Sequence, residues 1–385
     1  SAPGVGSNLA VTVSVVGQTA RTTSGLLTYA PPSIEEIIEA PNDGTLESMD
    51  EANLLPPQNL PTYGGTLIDI SGVNFPPLDA GIDVSSILTV KYGPTGFDFN
   101  AVNCRVIQSG MVIRCATSPG YGRNHYWKVE VDGLDSALSL VTTSYQKPSI
   151  NECYGPACLR GSTAGGQLVV LFGANLFGPI EFVRYGHTGT EYTAIQCQQM
   201  RNHFVVACLT SPGVGSNHKW LVRQGSQTSE LTSELTGYAA PALNTITGDG
   251  STDASTLGGQ AVTLQGTNFP PYGSSLAASN TVVTYSNGIQ TFAASNCLLK
   301  YENRFSSLAF IECFTVASTG GKLHWDVTVD GQPSTPPTTS TAPPMVQHIK
   351  DFAPATSTTE GGVEFSLIGS EFGPVGLSAP SIEVT

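Results

Sequence analysis

Charge is scarce in this sequence. Only 12% of the 385 residues are Asp, Glu, Lys or Arg, about half the share typical of soluble domains. Basic residues are the scarcest, because 16 Lys and Arg face 30 Asp and Glu and leave a net charge of −14. This deficit excludes the attraction to phosphates on which nucleic-acid binding depends. The surface is therefore expected to be hydrated by hydroxyl groups, bare or glycosylated, or to be covered in an assembly.

Several patterns are missing altogether. No run of about 18 apolar residues occurs, so we predict no membrane span in this segment. Without a nucleophile motif, paired carboxylates or a phosphate-binding loop, we predict neither an enzyme nor a cofactor. The sequence also lacks a signal peptide and an Asn-x-Ser/Thr sequon. Any glycans are therefore expected on Ser and Thr hydroxyls, or on hydroxyproline.

What is present is a repeated unit. Its best copy spans residues 196–222, related copies span 103–131 and 296–329, and residues 1–15 resemble its second half. Because residue 1 falls inside a copy, we expect the sequence to be a segment of a longer chain. Each copy ends in a strand with apolar residues at alternate positions, and in the leading fragment these are Val11, Val13 and Val15. All three tryptophans occupy one position of this strand and are predicted core residues: Trp127, Trp220 and Trp325.

The cysteine spacing predicts local disulfides. A two-residue turn at 109–110 places Cys104 directly opposite Cys115, where Cα atoms lie roughly 4.5–5.5 Å apart and a disulfide can form. A turn at 202–203 does the same for Cys197 and Cys208. The predicted pairs are Cys104–Cys115, Cys197–Cys208 and, over a longer loop, Cys297–Cys313.

The remaining pair leaves two interpretations. Cys153 and Cys158 enclose four residues, which suits a small looped disulfide, although an inter-chain bridge is the alternative. Zinc is disfavoured for all eight cysteines because they lack a CxxC signature. Four local disulfide pairs predict an oxidising compartment, and hence an extracellular or cell-surface location.

A second marker divides the chain into domains. A Tyr followed within a few residues by Pro-x-aliphatic starts at Tyr29, Tyr145 and Tyr238, and a degenerate version starts at Thr341. Each new repeat then opens with Gly-Gly, an alternating apolar strand, a glycine and a Phe. The predicted units are residues 1–30 (a C-terminal half-domain), 31–146, 147–239 and 240–331 (complete domains), 332–344 (a Thr/Pro-rich junction) and 345–385 (an N-terminal half-domain).

These motifs carry a resemblance. The order Pro-x-Ile, Gly-Gly, strand, Gly-x-Asn-Phe, Tyr-Gly, Cys, Cys-x-x-x-Pro and a valine-alternating strand resembles the IPT/TIG family, the immunoglobulin-like domains of plexins, fibrocystin-like proteins and some transcription factors. The resemblance covers essentially the whole chain. It implies an all-β fold of tandem immunoglobulin-like sandwiches, and the short, proline-containing junctions predict that the sandwiches form a rod.

Two regions depart from the repeat. Residues 42–61 form an acidic insertion, predicted to be a solvated loop because its carboxylates match no calcium-loop spacing. The Thr/Pro stretch after residue 331 replaces most of a terminal strand, and its composition is typical of O-glycosylated segments. The candidate acceptors are Ser334, Thr335, Thr338, Thr339, Ser340, Thr341, Thr356, Ser357, Thr358 and Thr359.

Histidines recur close to each tryptophan. His125 and His218 precede theirs by two residues and His324 by one, so we predict structural roles at one shared position and no common metal ion. The predicted function is an extracellular structural glycoprotein that self-associates into a filament and carries covalent O-linked glycans. The alternative is a receptor or adhesin ectodomain whose repeats form a stalk, with residues 42–61 as a ligand-binding loop.

Overall fold

The fold is all-β, as expected from the alternating apolar strands. The computed structural model describes residues 3–24, 26–41, 55–78, 83–233, 236–273, 279–302, 309–320, 322–334, 338–339, 345–350 and 366–374. Within them the helices are two single turns, α1 (Val84–Ile87) and α2 (Ala157–Arg160). The chain begins with a hairpin of β1 (Thr12–Val15) and β2 (Gln18–Arg21).

The first domain, residues 31–146, contains two four-stranded antiparallel sheets. The sheet orders are β3-β4-β8-β7 and β10-β9-β5-β6. Two facing sheets built from alternating strands form a sandwich, which is the immunoglobulin-like arrangement. The strands are β3 (Ser33–Glu39), β4 (Leu67–Val73), β5 (Leu88–Gly93), β6 (Phe99–Asn100), β7 (Val102–Gln108), β8 (Val112–Ala116), β9 (Tyr126–Val131) and β10 (Leu134–Asp135).

The second domain, residues 147–239, repeats this arrangement. Its strands are β11 (Ser149–Tyr154), β12 (Leu168–Leu176), β13 (Ile180–Gly186), β14 (Tyr192–Thr193), β15 (Ile195–Arg201), β16 (His203–Leu209), β17 (Lys219–Gln224) and β18 (Gln227–Thr228). The sheet orders β11-β12-β16-β15 and β14-β13-β17-β18 contain the same neighbours as in the first domain.

The third domain, from residue 240, follows the same plan, with sheets β19-β20-β24-β23 and β22-β21-β25-β26. Its strands are β19 (Ala242–Thr247), β20 (Ala261–Thr267), β21 (Thr281–Ser286), β22 (Thr291–Ala293), β23 (Ser295–Tyr301), β24 (Ala309–Phe314), β25 (Leu323–Val329) and β26 (Thr338–Thr339). A final antiparallel pair, β27 (Met345–Lys350) and β28 (Ser366–Ser370), follows.

The tryptophans lie in the cores, as predicted. Each is at most 1% exposed and stacks on the tyrosine of the neighbouring strand, with ring centroids 4.2–4.5 Å apart. The indole N–H groups of Trp127 and Trp220 donate to buried threonine hydroxyls, so the polar edges of these two rings are also satisfied. The stacked pairs are Trp127–Tyr92, Trp220–Tyr185 and Trp325–Tyr285.

The hairpin tips differ from the prediction. Cys104 and Cys115 are opposed as expected, but Gln108 pairs with Val112 rather than Met111, because the register shifts by one residue near the tip. The second domain shows the same shift, which pairs Arg201 with Val205. A β-bulge absorbs the extra residue, and no feature of the cysteine spacing reveals it.

The third domain extends further than predicted. We placed a Thr/Pro junction from residue 332 onward, but Gln332 forms a bridge with Val329, and β26 pairs with the start of β25. The stretch therefore includes an edge strand of the third domain.

The leading valines are exposed. Val11, Val13 and Val15 match the core-facing residues of the other final strands, yet they are 46%, 56% and 62% exposed. Among the described residues no second sheet covers this hairpin. The repeat pattern predicted which residues share a face, and it did not predict their burial.

Candidate functional site

The same side-chain contacts recur at the joints between consecutive units. We call these joint 1 (residues 1–30 to the first domain), joint 2 (first to second domain) and joint 3 (second to third domain). Each joint combines the proline-containing linker with a glycine-rich loop from one unit and the turn after the final strand of the next unit. The sequence motifs predicted short linkers, and the structure adds the contacts that hold them.

An asparagine fixes the linker at every joint. Asn74, Asn175 and Asn268 of the Gly-x-Asn motif all have positive φ angles, between 57° and 63°, a conformation that Asn tolerates better than most residues. Each side-chain amide donates to the carbonyl oxygen two residues after the linker tyrosine or its equivalent, at 3.0–3.3 Å. The linker backbone is therefore bonded to the sheet of the domain that follows it.

A glutamine provides a second bond at joints 2 and 3. The Gln227 side chain donates to the carbonyl oxygen of Tyr145 at 3.0 Å, and Gln332 donates to that of Tyr238 at 3.1 Å. Gln227 begins β18, which pairs with the end of β17, and Gln332 forms a bridge with Val329 at the end of β25. Each tyrosine ends the preceding domain. These bonds therefore connect one domain directly to the next. Residue 134, at the equivalent position of joint 1, is a leucine that cannot make this bond.

The two tyrosines are anchored in their own domains. Tyr145 and Tyr238 are at most 3% exposed. The Tyr145 hydroxyl lies 2.5 Å from the Tyr92 hydroxyl and donates to Ser118, and Tyr238 repeats this with Tyr185. Burial raises the pKa of both tyrosines above the ordinary range, so both stay protonated. A linker that starts from such a residue has little freedom at its first position.

Joint 2 adds aromatic packing. The Tyr121 ring contacts the edge of Phe177 at 6.1 Å between centroids. Gly178 and Gly225 both lie against the ring, and a Cβ atom at either would come within 2.4 Å of a ring atom. Across the same joint, the Thr62 hydroxyl lies 2.9 Å from Nδ1 of His203. The joint is therefore closely packed, and its glycines are needed for the approach.

Joint 3 places three ionisable side chains together. His187 and His218 from the second domain meet Asp330 from the third, and His187 Nε2 lies 3.2 Å from Asp330 Oδ2. Burial, reinforced by the neighbouring His187, lowers the pKa of His218 to about 4, so its imidazole is neutral at pH 7. Sequence reasoning missed this cluster because the three residues are far apart in the sequence and only the joint brings them together.

One histidine does not occupy the position we predicted. His125 and His218 are at most 1% exposed and equivalent, but the matching buried residue in the third domain is Leu323, at 2% exposure. His324 is exposed. Alternation along a strand explains the difference, because His324 precedes its tryptophan by one residue and points to the opposite face.

The structure joins all eight cysteines in the pairs that the spacing indicates. The three hairpin disulfides, Cys104–Cys115, Cys197–Cys208 and Cys297–Cys313, each have a Cα–Cα distance of 4.1 Å. Cys153 and Cys158 form a local loop, so no inter-chain bridge is needed. Within the described residues, no helix is long and apolar enough to cross a membrane. The disulfides indicate an extracellular or cell-surface setting.

The hydroxyl candidates for glycosylation differ in accessibility. Ser334 is only 8% exposed, and its Oγ accepts from the Val327 amide and donates to Asp326. Thr339 lies in β26, where its backbone pairs with that of Leu323. The others are Thr338, the partner of His324 in β26, and Thr335, Ser340, Thr341, Thr356, Ser357, Thr358 and Thr359, which lie outside the described residues.

Solved structures with a similar fold include several multidomain surface proteins. FdeC, an Escherichia coli adhesin, is 14% identical, with 75% of this chain and 95% of that chain covered and a TM-score of 0.23. The plexin A4 extracellular region is 14% identical, with 88% and 28% covered and a TM-score of 0.24. A surface glycan-binding protein of Prevotella bryantii is 10% identical, with 67% and 66% covered and a TM-score of 0.36.

The comparison with protein families is more specific than the comparison with these distant structures. No curated protein matches the chain. A family model described as the IPT/TIG domain matches residues 53–146. That segment contains β4 to β10 and Tyr145, the tyrosine that ends the first domain, and the second and third domains repeat the same two sheets. Residues 53–146 therefore match the IPT/TIG family, and the chain is a tandem array of immunoglobulin-like domains.

Proposed function

We propose that this protein is an extracellular structural protein whose tandem immunoglobulin-like domains form a rod that assembles into a filament. The observation that carries the rod is the repeated joint. The asparagine-to-linker bond occurs three times and the glutamine-to-tyrosine bond twice, so successive domains are fixed to one another by the same contacts. A rod of this kind performs its function through length and stiffness, without catalysis.

Filament assembly is supported by the composition of the surface. Because only 12% of the residues are charged, few charged side chains have to lose their water where two copies meet. Exposed apolar side chains such as Leu140 at 96%, Leu159 at 85% and Ile289 at 82% supply contact area for neighbouring copies. All cysteines have partners within the chain, so assembly relies on non-covalent contacts.

O-linked glycans are part of this proposal. The hydroxyl groups at 335–341 in the Thr/Pro stretch, and those at 356–359, are the preferred acceptors, whereas Ser334 is buried and bonded. Glycopeptide mass spectrometry of the native protein should find hexose or pentose on these segments. Unmodified peptides throughout both segments would remove the glycans from the proposal and leave the rod unaffected.

Electron microscopy of the purified protein tests assembly directly. We expect filaments whose number grows with protein concentration, with a repeat along the axis set by the domains. Separate short rods at every concentration would contradict the filament and would favour the second candidate, an adhesin or receptor stalk. That candidate is favoured by the acidic insertion, residues 42–61, because its described end is held on the first domain. Gln58 donates to the Thr142 carbonyl oxygen and accepts from the Ser144 hydroxyl.

A further inference from the structure

Joint 3 holds a group of metal-ligand side chains from two domains. His187 and His218 belong to the second domain, Asp330 belongs to the third, and one ligand atom from each lies within 4.8 Å of the other two. The two imidazole rings are nearly perpendicular, with centroids 5.6 Å apart. Among the residues that the structure describes, this is the one group of three such side chains.

One nitrogen atom of this cluster is buried without a hydrogen-bond partner among the described residues. His218 is 1% exposed, and its Nε2 atom is buried without a hydrogen-bond partner in the described part of the chain. A buried polar atom that makes no hydrogen bond destabilises the fold. When the ring proton resides on Nδ1, Nε2 carries the lone pair that a metal ion requires. The atom is therefore placed to bind a ligand from the joint.

Gly215 keeps the space in front of this atom open. Its φ angle is +94°, and a Cβ atom built there would lie 2.1 Å from Asp330 Oδ2 and 3.1 Å from His218 Nε2. The two ligand atoms therefore face the same point from opposite domains. Any side chain at residue 215 would occupy that point.

The other joints lack the combination. At joint 2 the equivalents of His187, His218 and Asp330 are Pro94, His125 and Gly225, and the Tyr121 ring packs against Gly225 instead. At joint 1, Asp132 faces Gly6 as Asp330 faces Gly215, but residues 1–30 contain no histidine. The repeat therefore places these three positions together at each joint. Of the three joints, joint 3 alone has metal-ligand side chains at all of them.

We propose that His187, His218 and Asp330 bind one divalent transition-metal ion, with Zn²⁺ the best fit, that links the second and third domains. Two imidazole nitrogens and one carboxylate oxygen are a common zinc donor set, and water completes the coordination. Bonds of about 2.0–2.2 Å require the ligand atoms to approach one another more closely than 4.8 Å. The side chains of His187 and Asp330 are 52% and 26% exposed and can move, while His218 stays in the core.

Calorimetric titration of the untagged, chelator-treated full chain with ZnCl₂ at pH 7.5 tests the site. We expect one saturable equivalent, with affinity reduced at least tenfold in His187→Ala and in Asp330→Asn. His324→Ala is the matched control, because this exposed histidine lies outside the cluster and its loss should leave the affinity unchanged. Both test residues are partly exposed, so circular dichroism should show that the variants are folded.

A second readout separates this site from adventitious binding. Co²⁺ added in place of zinc should give visible absorption bands of a four- or five-coordinate ion in the wild type and in His324→Ala, and the bands should be lost in Asp330→Asn. Absence of saturable binding, or equal affinity in wild type, His187→Ala and Asp330→Asn, would overturn the proposal. Because binding is measured on the single chain, a failure to form filaments does not affect this result.

Discussion

At the residue scale, the first domain contains a buried ion pair that its neighbours lack. Arg114 on β8 makes two bonds to Asp69 on β4, at 2.6 and 2.7 Å, and both residues are at most 5% exposed. The hydrogen bonds that Arg114 donates to the Asp69 carboxylate raise the pKa of Arg114 further, so the guanidinium stays charged. The second domain has Val170 and Ala207 at the same two positions, so the fold does not require the pair.

Breaking this pair should destabilise the first domain more than replacing it. Asp69→Val alone leaves a buried cation without its partner and should cost about 3–5 kcal/mol. The double variant Asp69→Val with Arg114→Ala reproduces the second domain's residues and should recover most of that loss. Hydrogen exchange of β4 and β8 measures both. A double variant as unstable as the single one would show that the pair contributes through packing and not through charge.

His125 should make the stability of the first domain depend on pH. Burial lowers its pKa, against weaker opposing effects of the Gly122 backbone and of Asp98. Neither ring nitrogen makes a hydrogen bond of good geometry among the described residues. The unfolded chain binds a proton as the pH falls below about 6.5, whereas the folded domain keeps the ring neutral. The free energy of unfolding should therefore be constant above this pH and decrease below it.

The third domain suggests the control, because Leu323 occupies the equivalent position. His125→Leu should reduce the loss of stability between pH 7.5 and pH 5 in urea unfolding of the first domain. An unchanged pH dependence in this variant would assign the effect to other groups.

At the scale of elements, the disulfide hairpins are the most regular feature. Cys197 and Cys208 close a loop of the same sequence separation as Cys104 and Cys115. In the chain-entropy model such a loop contributes about 3 kcal/mol by restricting the unfolded state. Replacing both Cys197 and Cys208 by Ala should lower the stability of the second domain by about that amount without changing its fold.

Hydrogen exchange localised to β15 and β16 provides the measurement. The untouched Cys104–Cys115 hairpin in the same molecule serves as an internal control. Equal protection in β15 and β16 before and after the replacement would mean that native strain cancels the entropic gain.

The elements also show how far sequence reasoning extends. The paired cysteines and the alternating valines predict the strands and the disulfides because both depend on contacts within a single hairpin. The bulges at Gln108 and Arg201 were missed because they depend on backbone geometry at the tip. The edge strand β26 was missed because its Thr/Pro composition is typical of a linker, and its pairing with β25 is a tertiary contact.

The contacts at the joints could be predicted from the sequence even less well. The Gly-x-Asn motif was recognised three times as a repeat marker. Its asparagine holds the linker through a hydrogen bond to a backbone carbonyl about 28 residues earlier in the sequence, which the motif does not reveal. The Asp330 cluster joins residues from different domains, and their order along the chain carries no sign of it. Local patterns thus predict domains, whereas contacts between domains require the structure.

At the scale of the whole molecule, stiffness depends on a few bonds per joint. Joint 2 should loosen when Asn175→Ala and Gln227→Ala are combined. The linker then loses its bond to the sheet, and the domains lose the bond between Gln227 and Tyr145. Each domain keeps its own core, so circular dichroism and the unfolding of the separate cores should change little. The equivalent residue in the leading hairpin, Gln18, is exposed, and Gln18→Ala is the matched control.

Small-angle X-ray scattering of the full chain is the most direct test of the rod. The wild type and Gln18→Ala should both give the scattering of one extended, rigid particle with a single maximum dimension. The Asn175→Ala, Gln227→Ala variant should show the broader distribution of a particle with a hinge at joint 2. If the wild type itself scatters as a flexible string, and the joint variant is indistinguishable from it, the domains are not held as a rod.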